Sequence, residues 1–246
     1  MKEYTTEFIR NVALVGHGSS GKTMMAESFL HFSGAITRMG KVEDGSTVSD
    51  FDDEEIRRSL SLYTSVLPVE HKKTKINILD APGYTDFVGE VISAISVSDS
   101  ALVLVDSLAG VEVGTEIAWR YCDQFNLPRA VVVNKMDRDN ANLKKVMTSL
   151  EEFSAARLIR VQLPWGERGD FKGVIDLMSN KAYEGDGKTA VEIPAEYADA
   201  AEEARMELIE AAAEGDDALL EKYFEGEELS DAEIASGLKK VFLAGD

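Results

Sequence analysis

A glycine-rich loop between an apolar run and a helix-like segment constrains this chain more than any other feature. The pattern G-x-x-x-x-G-K-[ST] is matched by eight consecutive residues: Gly16, His17, Gly18, Ser19, Ser20, Gly21, Lys22 and Thr23. An apolar run at 12–15 precedes the loop, and a segment typical of a helix follows it at 24–30. Strand, loop and helix in this order favour a phosphate-binding loop over a chance glycine-rich turn, which is the alternative.

The residue types of this loop suit a nucleoside triphosphate. Gly16 and Gly21 allow the backbone to wrap a phosphate with its N–H groups, and the helix N-terminus that follows favours negative charge. Lys22 can reach the β- and γ-phosphates, and the hydroxyl of Thr23 can ligate Mg²⁺. The loop therefore predicts a bound triphosphate together with Mg²⁺.

Four short apolar runs predict the strands of a central sheet. Continuous apolar runs of this length are typical of parallel strands that are buried on both faces. We therefore predict an α/β fold of the P-loop NTPase class, with a mostly parallel sheet and helices on both faces. The runs lie at 12–15, 76–79, 101–105 and 130–133, with predicted helices at 115–125 and 143–153 and a half-buried strand at 60–67.

Two later motifs, each directly after a predicted strand, indicate which nucleotide is bound. The first is Asp80, Ala81, Pro82 and Gly83. Asp80 is placed to hold Mg²⁺, and the N–H of Gly83 to contact the γ-phosphate. A D-x-P-G sequence also makes a good turn, so the motif is weak when taken alone.

The second motif is Asn134, Lys135, Met136 and Asp137. The carboxylate of Asp137 can accept from two N–H groups on one edge of guanine, and adenine has no such donor pair. A buried carboxylate left unpaired by the wrong base would be costly, so the preference for guanine can be large. A polar turn is the alternative. Because all three motifs follow strands in the expected order, we predict GTP or GDP as the ligand.

The chain changes character from about residue 157. Short predicted strands are followed by acidic helices, and residues 186–246 hold 18 acidic against 5 basic residues within a total net charge of −19. We therefore predict a nucleotide-binding core at 1–156 and a smaller α+β module at 157–246. A surface this acidic is unsuited to phosphate neutralisation, so we expect no direct DNA binding.

Composition also bears on location. No apolar run approaches the ~20 residues that span a bilayer, and the first ten residues are too polar for a signal peptide, so we expect no membrane partner. The single cysteine, Cys122, excludes an internal disulfide and suits a reducing compartment. We expect a cytoplasmic monomer in which Cys122 is a packed helix residue.

Over nearly its whole length the chain resembles the N-terminal part of bacterial elongation factor G, a translational GTPase. The later part of the resemblance, at 162–166, 173–176, 221–223 and 226–229, is similar to a subdomain that most other translational GTPases lack. The resemblance implies GTP hydrolysis and ribosome binding that drives translocation or recycling. It also places the first switch segment at 50–63, with Ser61 in place of a threonine that ligates Mg²⁺.

The resemblance further implies a partner surface. In the family the inserted subdomain contacts the stalk protein of the large ribosomal subunit through acidic helix residues. The matching positions are Glu210, Glu214 and Asp217, whose i, i+4, i+7 spacing predicts one helical face. An ordinary solvated acidic face is the alternative.

The sequence departs from the family pattern where hydrolysis is expected to occur. Tyr84, which we predict to be catalytic together with Lys22 and Gly83, replaces the histidine that positions the attacking water. Gly18–Ser19 replace an apolar residue and an aspartate. A phenol with a pKa near 10 cannot become a cation near neutral pH as imidazole can. Loss of one positioned catalytic group typically costs ~10²–10⁴ in rate.

Three functions remain open from the sequence. The first is a GTPase of the elongation factor G type. The second is a ribosome-binding paralogue that hydrolyses GTP slowly or not at all, and the third is a non-ribosomal regulatory GTPase, which the inserted subdomain disfavours. The family's last guanine-binding loop has no counterpart at 240–246, so we expect the end of the GTPase domain, and later domains that reach the ribosomal factor-binding site, to be missing.

Overall fold

The computed structural model describes residues 2–154, 156–185 and 187–245. It separates into two compact units, Met1–Asn134 and Lys135–Asp246, which are taken in turn. The boundary that we predict between a core at 1–156 and a module at 157–246 follows the resemblance to the family rather than these two units, and it stays a prediction.

A five-stranded sheet in the order β2-β3-β1-β4-β5 forms the first unit. Strands β1, β3, β4 and β5 are mutually parallel, and β2 pairs antiparallel with β3 at one edge. The elements are β1 Ile9–Gly16, α1 Lys22–Phe32, α2 Asp53–Arg58, β2 Ser65–His71, β3 Thr74–Asp80, α3 Val88–Ser96, β4 Ser100–Asp106, α4 Val113–Gln124 and β5 Arg129–Asn134.

The central strand β1 is buried on both faces. Ala13, Leu14 and Val15 are fully inaccessible, and Leu14 belongs to an apolar cluster that includes Leu30 of α1 and Leu104 of β4. Burial of large aliphatic side chains at about 25 cal/mol per Å² makes this layer the main source of stability in the unit. The parallel register brings the carboxyl ends of β1, β3 and β5 to one edge, as predicted.

The predicted strand at 60–67 is wrong over its first part, because β2 runs from Ser65 to His71. Residues Leu62 and Tyr63 donate their backbone N–H groups to the carboxylate of Glu55 instead of to a strand. The preceding polar stretch contains the short helix α2, which Asp52 and Glu55 open with a reciprocal capping box.

The second unit combines a helix with a four-stranded antiparallel sheet in the order β6-β7-β8-β9 and three acidic helices. Leu163, Ile175 and Leu177 from the sheet pack with Leu208 and Ile234 from the helices. The α+β character is as predicted, whereas β8 and β9 were not expected. The elements are α5 Leu143–Phe153, β6 Gln162–Trp165, β7 Gly173–Asp176, β8 Lys181–Glu184, β9 Thr189–Val191, α6 Ala198–Glu214, α7 Asp217–Phe224 and α8 Asp231–Ala244.

Helices α6 and α8 cross with their backbones in close approach. A Cβ atom added at Gly237 would lie 2.0 Å from the carbonyl oxygen of Ala212, a distance that no side chain tolerates. We predict that Gly237→Ala destabilises this unit by about 1–3 kcal/mol, as expected for overpacking. Urea unfolding followed by circular dichroism measures the change.

The matched control for this prediction is Gly169→Ala, since a Cβ atom at Gly169 meets nothing within 4 Å. Equal stability of the two variants would contradict the close crossing of α6 and α8.

Candidate nucleotide-binding site

Two glycines give the loop after β1 its shape. Gly16 has φ 135° and Gly21 has φ 102°, both in the region that favours glycine. A Cβ atom at Gly16 would lie 2.3 Å from the carbonyl oxygen of Leu104, and one at Gly21 would lie 2.3 Å from Nδ2 of Asn134. Asn134 uses that nitrogen to donate to the carbonyl of Ser20 at 2.9 Å. The first residue of the predicted guanine motif is therefore hydrogen-bonded to the predicted phosphate loop.

Lys22 lies buried at the start of α1 with its ammonium inside the loop. Its Nζ donates to the carbonyl oxygens of His17 at 2.8 Å and Gly16 at 3.2 Å. Burial lowers the pKa of Lys22 to about 8, against the opposing attraction of Asp80 and Asp50. The cation is thus held by weak neutral acceptors, which phosphate oxygens can replace with charge-assisted hydrogen bonds.

The three predicted Mg²⁺ ligands come together beside Lys22. Oγ1 of Thr23 lies 3.3 Å from Oγ of Ser61, and Thr23 also interacts with the carboxylate of Asp80. Asp80 is fully buried and accepts a hydrogen bond of 2.6 Å from Ser49. Burial raises its pKa to about 6, although the Ser49 bond and the charge of Lys22 oppose that rise.

These residues fit Mg²⁺ by an observation independent of the motif. Oδ1 of Asp80 and Oδ1 of Asp50 are buried and have no hydrogen-bond partner in the part of the chain that the structure describes. Hydroxyl and carboxylate oxygens are the ligands that Mg²⁺ prefers, usually together with phosphate oxygens and water. Within the described ranges no group of three His, Cys, Asp or Glu side chains could hold a metal. A site here therefore depends on the hydroxyls and on the nucleotide itself.

Residues Gly83 and Tyr84 lie directly against the loop. A Cβ atom at Gly83 would lie 2.4 Å from Nζ of Lys22 and 2.6 Å from the backbone nitrogen of Gly18. A Cβ atom at Gly18 would lie 2.8 Å from Cζ of Tyr84. Gly18 and Tyr84 are therefore in close approach, so a side chain at position 18 would require this tyrosine ring to move. No pattern in the sequence indicates that coupling.

His17 connects the loop to the segment that precedes α4. Its Nδ1 accepts from the backbone N–H of Gly114 at 3.1 Å, and its Nε2 lies 3.6 Å from Oε1 of Glu112. Ser19, which follows Gly18, has φ 63°, an uncommon conformation for a residue with a side chain.

Two buried glutamates near the site were not predicted from the sequence. Glu27 of α1 is fully inaccessible and Glu55 of α2 is 1% exposed. Both carboxylates accept backbone N–H groups from the polar stretch between α1 and β2. The sequence held one indication that Glu27 lies near the site: it follows Thr23 by one helical turn and is therefore on the same face of α1.

The remaining members of the guanine motif belong to the second unit. Lys135 has φ 62°, Met136 is buried and Asp137 is exposed in a turn. The carbonyl of Met136 accepts from the backbone N–H of Arg168 at 2.8 Å, which fixes the start of this unit. The contact of Asp137 with a base stays a prediction.

The predicted acidic face needs a correction. Helix α6 ends at Glu214, and Asp216 caps a separate helix by accepting from the N–H of Ala218. Asp217 is the first residue of α7, so it does not continue the face formed by Glu210 and Glu214. Those two glutamates lie 3.7 Å and 3.1 Å from the guanidinium of Arg157.

Comparison with known proteins agrees with this geometry. Residues 7–241 match the family model described as the elongation factor Tu GTP-binding domain. The chain belongs to this family. It is 38% identical to elongation factor G of Fervidobacterium nodosum, over 96% of this chain and 35% of that protein. A crystal structure of a protein from Thermus thermophilus superimposes with a TM-score of 0.89 at 38% identity, over 97% of this chain and 36% of the other.

The chain thus spans about a third of the length of the relatives it matches. The inferred G-domain fold is confirmed by the family match and by the structural similarity. Along the described parts of the chain, every helix is too short or too polar to cross a membrane. Cys122 is buried in α4, and burial raises the pKa of its thiol to about 11, as suits a packed residue.

The raised pKa of Asp80 predicts a specific pH dependence. A carboxyl whose pKa rises to about 6 on folding contributes stability at low pH that is lost as the pH rises from about 4 to about 6. In EDTA and without nucleotide, Asp80→Asn should therefore gain about 3 kcal/mol relative to the native chain between pH 4 and pH 7. Urea unfolding at several pH values measures the difference.

Asp86→Asn is the matched control, since Asp86 is an exposed aspartate of the same unit. Parallel stability curves for the native chain and Asp80→Asn would show that Asp80 does not titrate as its burial requires.

Proposed function

We propose that this chain is the GTP-binding part of a translation factor of the elongation factor G type. Such a factor couples the binding and hydrolysis of GTP to ribosomal translocation or recycling. The observation that carries the proposal is the convergence of the phosphate loop, Asp80 and Asn134 at one sheet edge. The similarity along 96% of the chain to an elongation factor G supports the ribosomal role.

In this proposal the phosphates of GTP lie along the loop from Gly16 to Thr23. The backbone N–H groups and Lys22 bind the phosphate oxygens, with Lys22 exchanging its two carbonyl acceptors for them. Thr23, Ser61 and Asp80 hold Mg²⁺, which neutralises the charge that develops on the phosphates. Asn134, Lys135 and Asp137 bind the guanine base.

In this proposal hydrolysis is the step that departs from the family pattern. Tyr84 takes the role of the water-orienting histidine, and its ring packs over Gly18. A phenol can donate a hydrogen bond to water, but it cannot supply the positive charge of an imidazolium near neutral pH. We infer that GTP binds well while hydrolysis is slow, so that the factor stays longer in its triphosphate form.

The direct test is GTP turnover by the protein with and without ribosomes, compared with Tyr84→His. We expect His to raise ribosome-stimulated turnover at least tenfold, since a positioned acid–base group contributes about 10²–10⁴ in rate. Phosphate release under multiple-turnover conditions measures it.

Tyr223→His provides a control for the loss of a tyrosine, because Tyr223 lies in α7 of the second unit. Unchanged or lower turnover in Tyr84→His would refute the slow-hydrolysis proposal and leave an ordinary GTPase with a tolerated tyrosine.

The acidic second unit is proposed to bind the ribosomal stalk protein. Glu210 and Glu214 project from α6 with about half of each side chain exposed, but Arg157 neutralises part of their charge. Exposed pairs of this kind contribute little stability, so a basic partner can displace Arg157 at low cost. Asp217 supplies a further carboxylate from α7.

We expect the double charge reversal Glu210→Lys and Glu214→Lys to weaken stalk-protein binding at least tenfold, measured by calorimetry at 0.1 M salt. Glu225→Lys changes an exposed glutamate that follows α7 and serves as the control. Undiminished binding would remove the proposed role of this face and favour a plain solvated surface.

The other expectations belong to the same proposal. A cytoplasmic, monomeric protein follows from a ribosomal role and from the composition of the chain. Contact with the ribosomal factor-binding site is part of the same proposal, which the similarity to an elongation factor G supports.

A further inference from the structure

Two buried carboxylates organise the polar stretch between α1 and β2 in different ways. Glu27 of α1 accepts backbone N–H groups from Gly40 at 2.7 Å and from Val48 at 2.6 Å. Glu55 of α2 accepts from Leu62 at 2.9 Å and from Tyr63 at 3.2 Å. Hydrogen bonds to a charged group are the strong ones, and here they are removed from water.

The bonds of Glu27 hold a compact turn against α1. Within this turn Ser46 donates its backbone N–H to the carbonyl of Lys41, and Lys41 donates its own to Oγ of Ser46. The backbone at Gly40 passes so close that a Cβ atom there would lie 2.2 Å from the carbonyl oxygen of Ser46. Residues 40–48 are thus fastened to the helix that carries Lys22 and Thr23.

The bonds of Glu55 instead remain within its own segment. Besides Leu62 and Tyr63, its carboxylate accepts from the N–H of Asp52, which precedes α2. Its backbone carbonyl accepts from Ser59 at the end of the helix and from Leu60. Residues 52–63 therefore form one unit that is held together from inside.

Hydroxyl contacts connect this unit to the expected metal ligands. Ser61 lies 3.3 Å from Thr23 and also bonds to the carboxylate of Asp50. The backbone at Gly45 in the fastened turn passes close to Ile56, since a Cβ atom added there would lie 2.6 Å from Cγ2 of Ile56. One hydroxyl pair and one bond to Asp50 thus connect the unit to the metal side, against the three N–H groups that Glu55 binds within it.

We propose that Glu27 and Glu55 are positioning residues that divide the stretch into a fixed anchor, residues 40–48, and a docking unit, residues 52–63. The anchor stays on α1, and the docking unit reaches or leaves the Mg²⁺ side of the site as one piece. The role of the docking unit toward Mg²⁺ rests on the proposed GTP site, whereas the division itself does not.

Hydrogen–deuterium exchange of the nucleotide-free chain tests the division. Glu27→Leu should speed exchange in peptides covering 40–48 at least tenfold and leave 59–64 unchanged, because Leu offers no acceptor for the two N–H groups. Glu55→Leu should do the reverse. Ser28→Ala, which removes only a bond to Met24 within α1, is the control.

The same variants separate a positioning role from a general loss of stability. With Mg²⁺, Glu55→Leu should release a fluorescent GDP analogue at least tenfold faster than the native chain, and with EDTA the two rates should be equal. Should Glu27→Leu fail to fold, Glu27→Asp shortens the same side chain and serves instead.

Faster exchange in both segments for either variant, or in neither, would overturn the division into anchor and docking unit. Equal GDP release with Mg²⁺ would overturn the metal-side role of Glu55. A chain that binds no GDP at all would refute the proposed function, while the exchange experiment would still decide the division.

Discussion

Carboxylates removed from water need hydrogen bonds or cations, and three of them surround the glycine loop. Asp80, Glu27 and Glu55 are each at most 1% exposed. One oxygen of Asp80 accepts from Ser49 and the other has no hydrogen-bond partner among the described residues, whereas the two glutamates are satisfied by backbone N–H groups. Because an unsatisfied buried charge costs several kcal/mol, these contacts fix the path of the chain from α1 to β2. The incomplete one, Asp80, is where a cation is expected.

Most of the fold could be predicted because its signals are local. Continuous apolar runs indicated the parallel strands, and the glycine loop indicated the connection from β1 to α1. What the sequence did not reveal depends on contacts between distant residues. Glu55 draws Leu62 and Tyr63 out of the predicted strand, and Gly215 with Asp216 ends one acidic helix and starts the next, which separates Asp217 from Glu214.

In the site too, local motifs could be predicted from the sequence, whereas contacts between distant residues could not. Gly16, Gly21, Lys22 and Thr23 follow from a motif, since each role depends on the adjacent backbone. The close approach of Gly18 and Tyr84 joins residues 66 positions apart, so two separate features of the sequence meet in the structure. A side chain at position 18 would displace the tyrosine ring, and the proposed slow hydrolysis rests on that ring.

The central claim is that this loop and the strand ends around it select a guanine nucleotide. Calorimetric titration with GDP, ADP and xanthosine diphosphate, for the native chain and for Asp137→Asn, tests it most directly. We expect at least hundredfold preference for GDP over ADP, and a shift of preference toward xanthosine diphosphate in Asp137→Asn, because the carboxamide matches the xanthine edge. Similar affinities of the native chain for GDP and ADP would show that the site does not select guanine.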